Sequence, residues 1–352
     1  MKALILSGGK GTRLRPLTFT CAKQLIPVAN KPILGYVFDQ VAATQISQVG
    51  VITAPDTGQY VKEYVKDGSK WNLNIEYIPQ EPLGLAHAVK TAQQFLDKDS
   101  FLMCLGDNVT GQDPNTFIEK FRKENLDALI ILKEVDDPSN FGIAQLDSKG
   151  NITRLVEKPK EKIGNLAIIG TYLFSNKIHK AISQLKPSWR GELEITDAIQ
   201  EMINMGFNVK TQMLDSWWLD TGKKDDILLA NARILDEYIK RDIKGKVINS
   251  TINGRVKVES TAKVVNSTIT GPCIIGNNVS IEDSCIGPYT SIGDNSTILN
   301  SNVEHCVILE NVKLTNMERL EDSLIGKNSK VAKNTKKRTI KLHIGDYSEV
   351  EV

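Results

Sequence analysis

Residues 6–18 read LSGGKGTRLRPLT and follow directly on the apolar run KALIL at residues 2–6. Glycines at Gly8, Gly9 and Gly11 remove side chains where backbone amides must approach an anion, and Lys10 and Arg13 add positive charge. A buried strand that empties into such a turn suits a polyphosphate and marks the start of an α/β domain. The GxGxxG spacing of a dinucleotide fold and the GKS/T ending of a P-loop are both absent.

Outward from this loop, short apolar runs alternate with helical patterns. Leu34, Val37, Phe38 and Val41 recur at helix spacing, and VGVIT, NIEYI and FLMCL read as further strands. This alternation predicts a largely parallel sheet with helices on its faces. Two-residue alternation in ALIIL, GIAQL and ITRLV, followed by GTYLF, predicts mixed or antiparallel pairing at one edge. The expected fold is a Rossmann-like α/β domain with a mostly parallel mixed sheet over residues 1–240. It closes with an amphipathic helix after TGKKDD that sets Ile227, Ile234, Leu235 and Tyr238 on one side.

Past residue 245 the texture changes. Asn/Asp-Ser recurs at Asn249-Ser250, Asn266-Ser267, Asp283-Ser284 and Asn300-Ser301, each 17 residues after the last. Ile252, Ile269, Ile286, Val303 and Leu320 form one aliphatic column, and Val258, Ile275, Ile292 and Leu309 another. With a spacing near six inside each period, the pattern predicts a C-terminal left-handed parallel β-helix of the hexapeptide type over residues 245–345.

Of 352 residues, 41% are hydrophobic and 24% charged, which excludes disordered and collagen-like classes. Lys plus Arg number 44 against 42 Asp plus Glu, so the charge of +2 gives no electrostatic reason to expect nucleic acid or a membrane as partner. The first strand is too short for a signal-peptide core or a spanning helix. Cys21, Cys104, Cys273, Cys285 and Cys306 are odd in number and lack CxxC spacing, which argues against a disulfide framework or zinc site and for a cytoplasmic location.

GGKGTRLRPLT followed by CAKQLIPVANKPIL closely resembles the signature of the sugar nucleotidylyltransferases. IPQEPLGLAHAV (78–89), LGDN (105–108), FGIAQLD (141–147), VEKP (156–159), RGELEITD (190–197) and WLDTG (218–222) follow in that family's order. The resemblance covers residues 1 to about 240, and the repeats resemble the tail of the family's long thymidylyltransferases. It implies that a sugar-phosphate oxygen attacks the α-phosphorus of a nucleoside triphosphate while pyrophosphate leaves in line. Both reactants are anions, so catalysis rests on positioning and charge neutralisation by Mg²⁺, Arg, Lys and backbone amides.

By the same resemblance, Arg13, Lys23 and Asp107 are the catalytic candidates. Arg13 holds the β and γ phosphates, and Lys23 contacts the reacting phosphates. Leu6, Gly8, Gly9, Gly11, Thr12, Arg13, Gln80, Gly84 and Asp107 bind the nucleotide, with Gln80 reading a pyrimidine edge. Gly142, Glu157, Lys158 and Ile168 line the sugar-phosphate site, with Glu194 either a second sugar contact or a first-turn helix carboxylate. Asp107 and Asp220, 113 positions apart, are the Mg²⁺ ligands.

The expected reaction joins dTTP and glucose 1-phosphate. UTP-dependent transfer to glucose 1-phosphate or N-acetylglucosamine 1-phosphate is the alternative within the class, since thymine and uracil share the edge that Gln80 reads. A catalytically silent regulatory subunit is the alternative outside it, opposed by the presence of Arg13, Lys23, Asp107, Lys158 and Asp220. Acyl transfer at His305 lacks an insertion loop to hold an acyl carrier. The solenoid predicts a homo-oligomer, and the tail KNTKKRTIKLHIGDYSEVEV (333–352) reads as a solenoid cap or oligomer contact.

Overall fold

A computed structural model describes residues 1–9 and 11–333, so all of the tail beyond Lys333 lies outside the described residues. The chain forms two compact units: residues 1–10, 21–25 and 33–220, and residues 11–20, 26–32 and 221 onward.

The first unit is built on a nine-stranded sheet. At its centre Lys2–Ser7 runs parallel to Gln48–Thr53 on one side and to Phe101–Leu105 on the other, with Asn74–Pro79 beyond Gln48–Thr53. These central strands are covered on both faces, which is why they read as unbroken apolar runs: Ala3, Leu4 and Ile5 are fully buried. The long strand Leu166–Phe174 then reverses direction, antiparallel to Phe101–Leu105, to Ala128–Glu134 and, through Ala167, to Gly142–Leu146. The expected mixed edge is therefore the half built from ALIIL, GIAQL, ITRLV and GTYLF. Helix Ile33–Ala42 buries the predicted Leu34, Val37, Phe38 and Val41.

In the second unit, three parallel sheets of six, six and five strands stack into the parallel β-helix. The column Ile252, Ile269, Ile286, Val303 and Leu320 pairs in that order. The second column departs from expectation at its end, because Ile292 pairs with Ile308 and not with Leu309. The corner between Val303 and Ile308 is one residue shorter than the one between Ile286 and Ile292, so the period there falls to 16.

The Asn/Asp-Ser repeat has a structural cause. Asn249, Asn266, Asp283 and Asn300 turn the corner at φ 45 to 47°, a left-handed conformation that asparagine and aspartate tolerate. Each following serine hydroxyl donates to the carbonyl two residues earlier and accepts a backbone N–H from the next coil: Ser267 N–H to Ser250 Oγ at 3.0 Å, Ser284 to Ser267 at 3.1 Å and Ser301 to Ser284 at 3.1 Å. Helix Lys224–Tyr238 belongs to this unit and buries Ile227, Ile234 and Leu235. Tyr238 does not join that stripe. It is the last helical residue and is 54% exposed, while Asn231 takes a buried place.

Candidate active site

Parallel strands deliver their C-terminal ends to one edge of the sheet, the place where open α/β sheets bind ligands. Lys2–Ser7 ends there and hands on to Gly8 and Gly9, Phe101–Leu105 to Asp107, and Asn74–Pro79 to Gln80. Leu6 lies at this edge, buried, and its carbonyl accepts the N–H of Gly106 at 2.9 Å.

The first cluster is ionic. Lys23 passes over Gly9, where a Cβ would lie 2.8 Å from its Cε, and its ammonium hydrogen-bonds Oδ2 of Asp107. Burial pushes the Asp107 carboxyl up, but the charge and hydrogen bond of Lys23, together with hydrogen bonds from Asn108 and the backbone, hold the group below the usual carboxylate range. Asn108 donates to the other oxygen of Asp107 at 3.2 Å and accepts from the indole N–H of Trp218 at 2.7 Å. A short antiparallel ribbon pairs Asn108–Thr110 with Trp218–Asp220 and sets Asp220 directly opposite Asn108. Asp220 thereby faces the chain neighbour of Asp107, and the two aspartates are 113 positions apart in sequence.

The second cluster surrounds Gln80, which is buried. Its amide nitrogen donates to the carbonyl of Gly84 at 3.3 Å and lies 3.0 Å from Nδ1 of His87. Burial, then the charge of Lys90, lowers the pKa of His87 and favours the neutral imidazole. Oε1 is turned toward Gly8, 3.6 Å from where a Cβ would stand. Gly84 must be glycine: its φ is 106° and a Cβ would fall 2.3 Å from the carbonyl oxygen of Leu193.

The third cluster holds the sugar-site candidates. A Cβ at Gly142 would meet Thr196 Cγ2 at 2.7 Å, Glu157 Oε2 at 3.1 Å and Ile168 Cδ1 at 3.5 Å. Lys158 follows the end of strand Ile152–Glu157 at φ 42°, its N–H bonded to the carbonyl of Phe141 at 3.0 Å. Glu194 stands at the N-cap of helix Ile195–Asn204 without capping it. Its carboxylate instead accepts from Ser188 Oγ at 2.9 Å and from Arg190 at 3.2 Å, and Arg190 lies 3.8 Å from Glu157. Burial, then the charge of Glu194, pushes the Glu157 carboxyl up to about 7.

The buried hydroxyls of Ser7 and Thr196 and Oε1 of Gln24 have no hydrogen-bond partner among the described residues. Buried polar atoms without partners fit a place that polar ligand groups complete. Sequence reasoning missed Asn108, His87 and Arg190. All three lie inside the quoted motifs, but their parts depend on which neighbours the fold supplies.

Gly11, Thr12 and Arg13 are carried by the second unit. Gly11, at φ 62°, precedes the 3₁₀ turn Thr12–Leu14, and Thr18 Oγ1 donates to its carbonyl at 2.7 Å. Burial raises the pKa of Asp226 on helix Lys224–Tyr238, and the charge of Arg13 is among the effects that oppose the rise.

Among the described residues no cluster of three or more His, Cys, Asp or Glu is arranged as a metal site. Mg²⁺ binds through one or two carboxylates and fills its octahedron with phosphate oxygens and water, so carboxylates of the kind that Asp107 and Asp220 offer are chemically suited to it.

The nucleotidyl transferase family matches residues 2–237, and the GMPPB C-terminal domain family matches residues 269–342. Over 356 aligned residues, covering 100% of this chain and 99% of its relative, the sequence is 45% identical to a glucose-1-phosphate thymidylyltransferase of Streptomyces antibioticus. It is 40% identical over 354 residues to the glucose-1-phosphate thymidylyltransferase of Streptomyces griseus, covering 100% and 99% of the two chains. A solved Bacillus anthracis structure, assigned as a glucose-1-phosphate thymidylyltransferase in complex with a sucrose, superposes with a TM-score of 0.64 at 32% identity, covering 68% of this chain and 98% of that one.

Proposed function

This chain belongs to the nucleotidyl transferase family, and we propose that it transfers the thymidylyl group of dTTP to α-D-glucose 1-phosphate, giving dTDP-glucose and pyrophosphate. The observation that carries the reading is the ion pair of Lys23 with Asp107 just beyond the central strands, with Asp220 facing the adjacent Asn108. The two Streptomyces relatives, similar over the whole chain including the solenoid, support the choice of substrates.

A phosphate oxygen of the sugar forms a new bond to the α-phosphorus as the α–β bridging bond breaks and pyrophosphate takes the electron pair. Arg13 and Lys23 bind the triphosphate and neutralise the charge that grows on the leaving group. Asp107 orients Lys23, and with Asp220 it would hold Mg²⁺. That ion supplies charge neutralisation across the phosphates when bound.

Gln80 selects the base. With its amide nitrogen set against Gly84 and His87, Oε1 accepts the N3–H of thymine or uracil, which cytosine lacks. The hollow of Gly142, Glu157 and Ile168 receives the sugar, with Lys158 at its phosphate and Glu194 as a further hydroxyl acceptor. UTP remains the competing nucleotide, because one methyl group against an apolar wall is worth only about 1–3 kcal/mol.

Pyrophosphate release with Mg²⁺, crossing glucose 1-phosphate and N-acetylglucosamine 1-phosphate with dTTP, UTP, GTP and ATP, tests the reading. Preference for dTTP with glucose 1-phosphate is expected. A UTP preference moves the chain to the uridylyltransferases, and no release with any pair makes it a silent subunit. The place of action inferred here is the cytoplasm. Among the described residues no helix is long and apolar enough to cross a membrane, and the cysteines form no disulfide.

A further inference from the structure

Directly after the turn Lys23–Leu25 the chain makes a short antiparallel hairpin, Pro27–Val28 against Lys31–Pro32. Its tip residues, Ala29 at φ 46° and Asn30 at φ 59°, both occupy the left-handed region, as a two-residue hairpin turn of the primed type demands. Asparagine tolerates this geometry. Alanine, with a Cβ and no polar side chain, adopts it only where surrounding structure holds it.

What holds it is the solenoid unit. The N–H of Ala29 donates to Oδ1 of Asn231 at 2.8 Å, and Nδ2 of Asn231 donates to the carbonyl of Tyr289 at 2.8 Å. Asn231 is fully buried on helix Lys224–Tyr238, between the hairpin tip and a corner of the solenoid. Beside it, Nδ2 of Asn30 donates to the carbonyl of Ile292 at 2.7 Å. Leu17, in the 11–20 segment, packs on a later coil, where a Cβ at Gly326 would lie 3.2 Å from its Cδ2. Segments 11–20 and 26–32, which flank Lys23 on either side, are thus both counted with the solenoid and not with the sheet.

We propose that the solenoid is a positioning element for phosphoryl transfer. Through Asn231 and the Ala29–Asn30 tip it fixes the chain after Lys23, and through Leu17 it holds the segment before Lys23 that carries Arg13. The inference rests on the reading above that Arg13 and Lys23 bind the triphosphate. The solenoid touches no substrate in this scheme; it limits the reorganisation that two mobile cationic side chains would otherwise need. Asn231 and Asn30 are positioning residues.

Two variants test it in the full chain. Asn30→Gly keeps the left-handed tip and removes only the bond to Ile292, while Asn231→Ala removes both bonds made by its amide. Hydrogen–deuterium exchange in peptides spanning residues 11–32 should quicken in both, with strand 101–105 unchanged. The kcat/KM for dTTP should fall about two- to tenfold for each lost bond, with the KM for glucose 1-phosphate unmoved. Unchanged exchange in both variants overturns the proposal, as does faster exchange with unaltered kcat/KM. If Asn231→Ala does not fold, Asn30→Gly alone decides. A wild-type protein inert toward every substrate pair sinks the functional reading instead, and the exchange result still accepts or rejects the bracing.

Discussion

At the scale of single residues, the site depends on charges that are buried in company. Asp107 is 5% exposed, and its ionised form is sustained by Lys23 and Asn108. Asp107→Asn keeps the shape but removes the charge that orients Lys23 and would hold Mg²⁺. The expected outcome is a kcat lowered about 10²- to 10³-fold, measured by pyrophosphate release, in a protein with unchanged circular dichroism. Glu157 gives a pH signature. If it accepts a sugar hydroxyl as a carboxylate, titration at about 7 means that the KM for glucose 1-phosphate falls as pH rises from 6 to 8, by about tenfold, and that Glu157→Gln flattens the profile. The effect on stability runs the other way. A folded value of about 7 above an ordinary 4.5 gives stability that is full below the ordinary value and lost as pH rises through the folded one. Arg13, Lys23, Asp107 and Gln80 could be expected from the motifs that carry them, Asp107 and Gln80 also from their places just beyond strand ends. His87 and Arg190 could not, because nothing along the chain says that one meets Gln80 and the other meets Glu157 and Glu194.

At the scale of elements, backbone hydrogen bonds and close approaches explain the repeats and loops. Ser284 is buried, accepts from Ser301 N–H at 3.1 Å and donates to the carbonyl of Glu282 at 2.7 Å. Ser284→Ala leaves that N–H without its acceptor, so thermal or denaturant unfolding should show a loss of about 1–3 kcal/mol. An unchanged midpoint would mean that the serine ladder is incidental to the repeat. The 17-residue period was plain in the sequence, since a coil that stacks in register must repeat its inward residues. The one-residue slip to Ile308 was not, because both Ile308 and Leu309 are aliphatic and buried and only corner length separates them. Tyr238 misleads for a similar reason: helix spacing puts it on the buried stripe, but the helix ends there and the side chain stays 54% exposed.

At the scale of the whole molecule, stacked coils leave sheet ends and outer faces that a homo-oligomer would cover. The solution mass by light scattering should therefore be a multiple of 39.0 kDa greater than one. A mass of a single chain would remove assembly from the solenoid's roles and leave it the bracing of the 11–32 region.

Alternation of strand and helix, the 17-residue period and the glycine-rich loop determined, by sequence alone, the α/β sheet, the β-helix and the chemistry of phosphates. Local periodicity and local steric demand are written in consecutive residues. The fold alone decided that Asp220 faces Asn108 across 112 positions, that Glu194 turns to Arg190 and away from its helix, and that Asn231 joins the hairpin tip to the solenoid. Such contacts depend on which elements pack together, and a chain read in order carries no direct record of that.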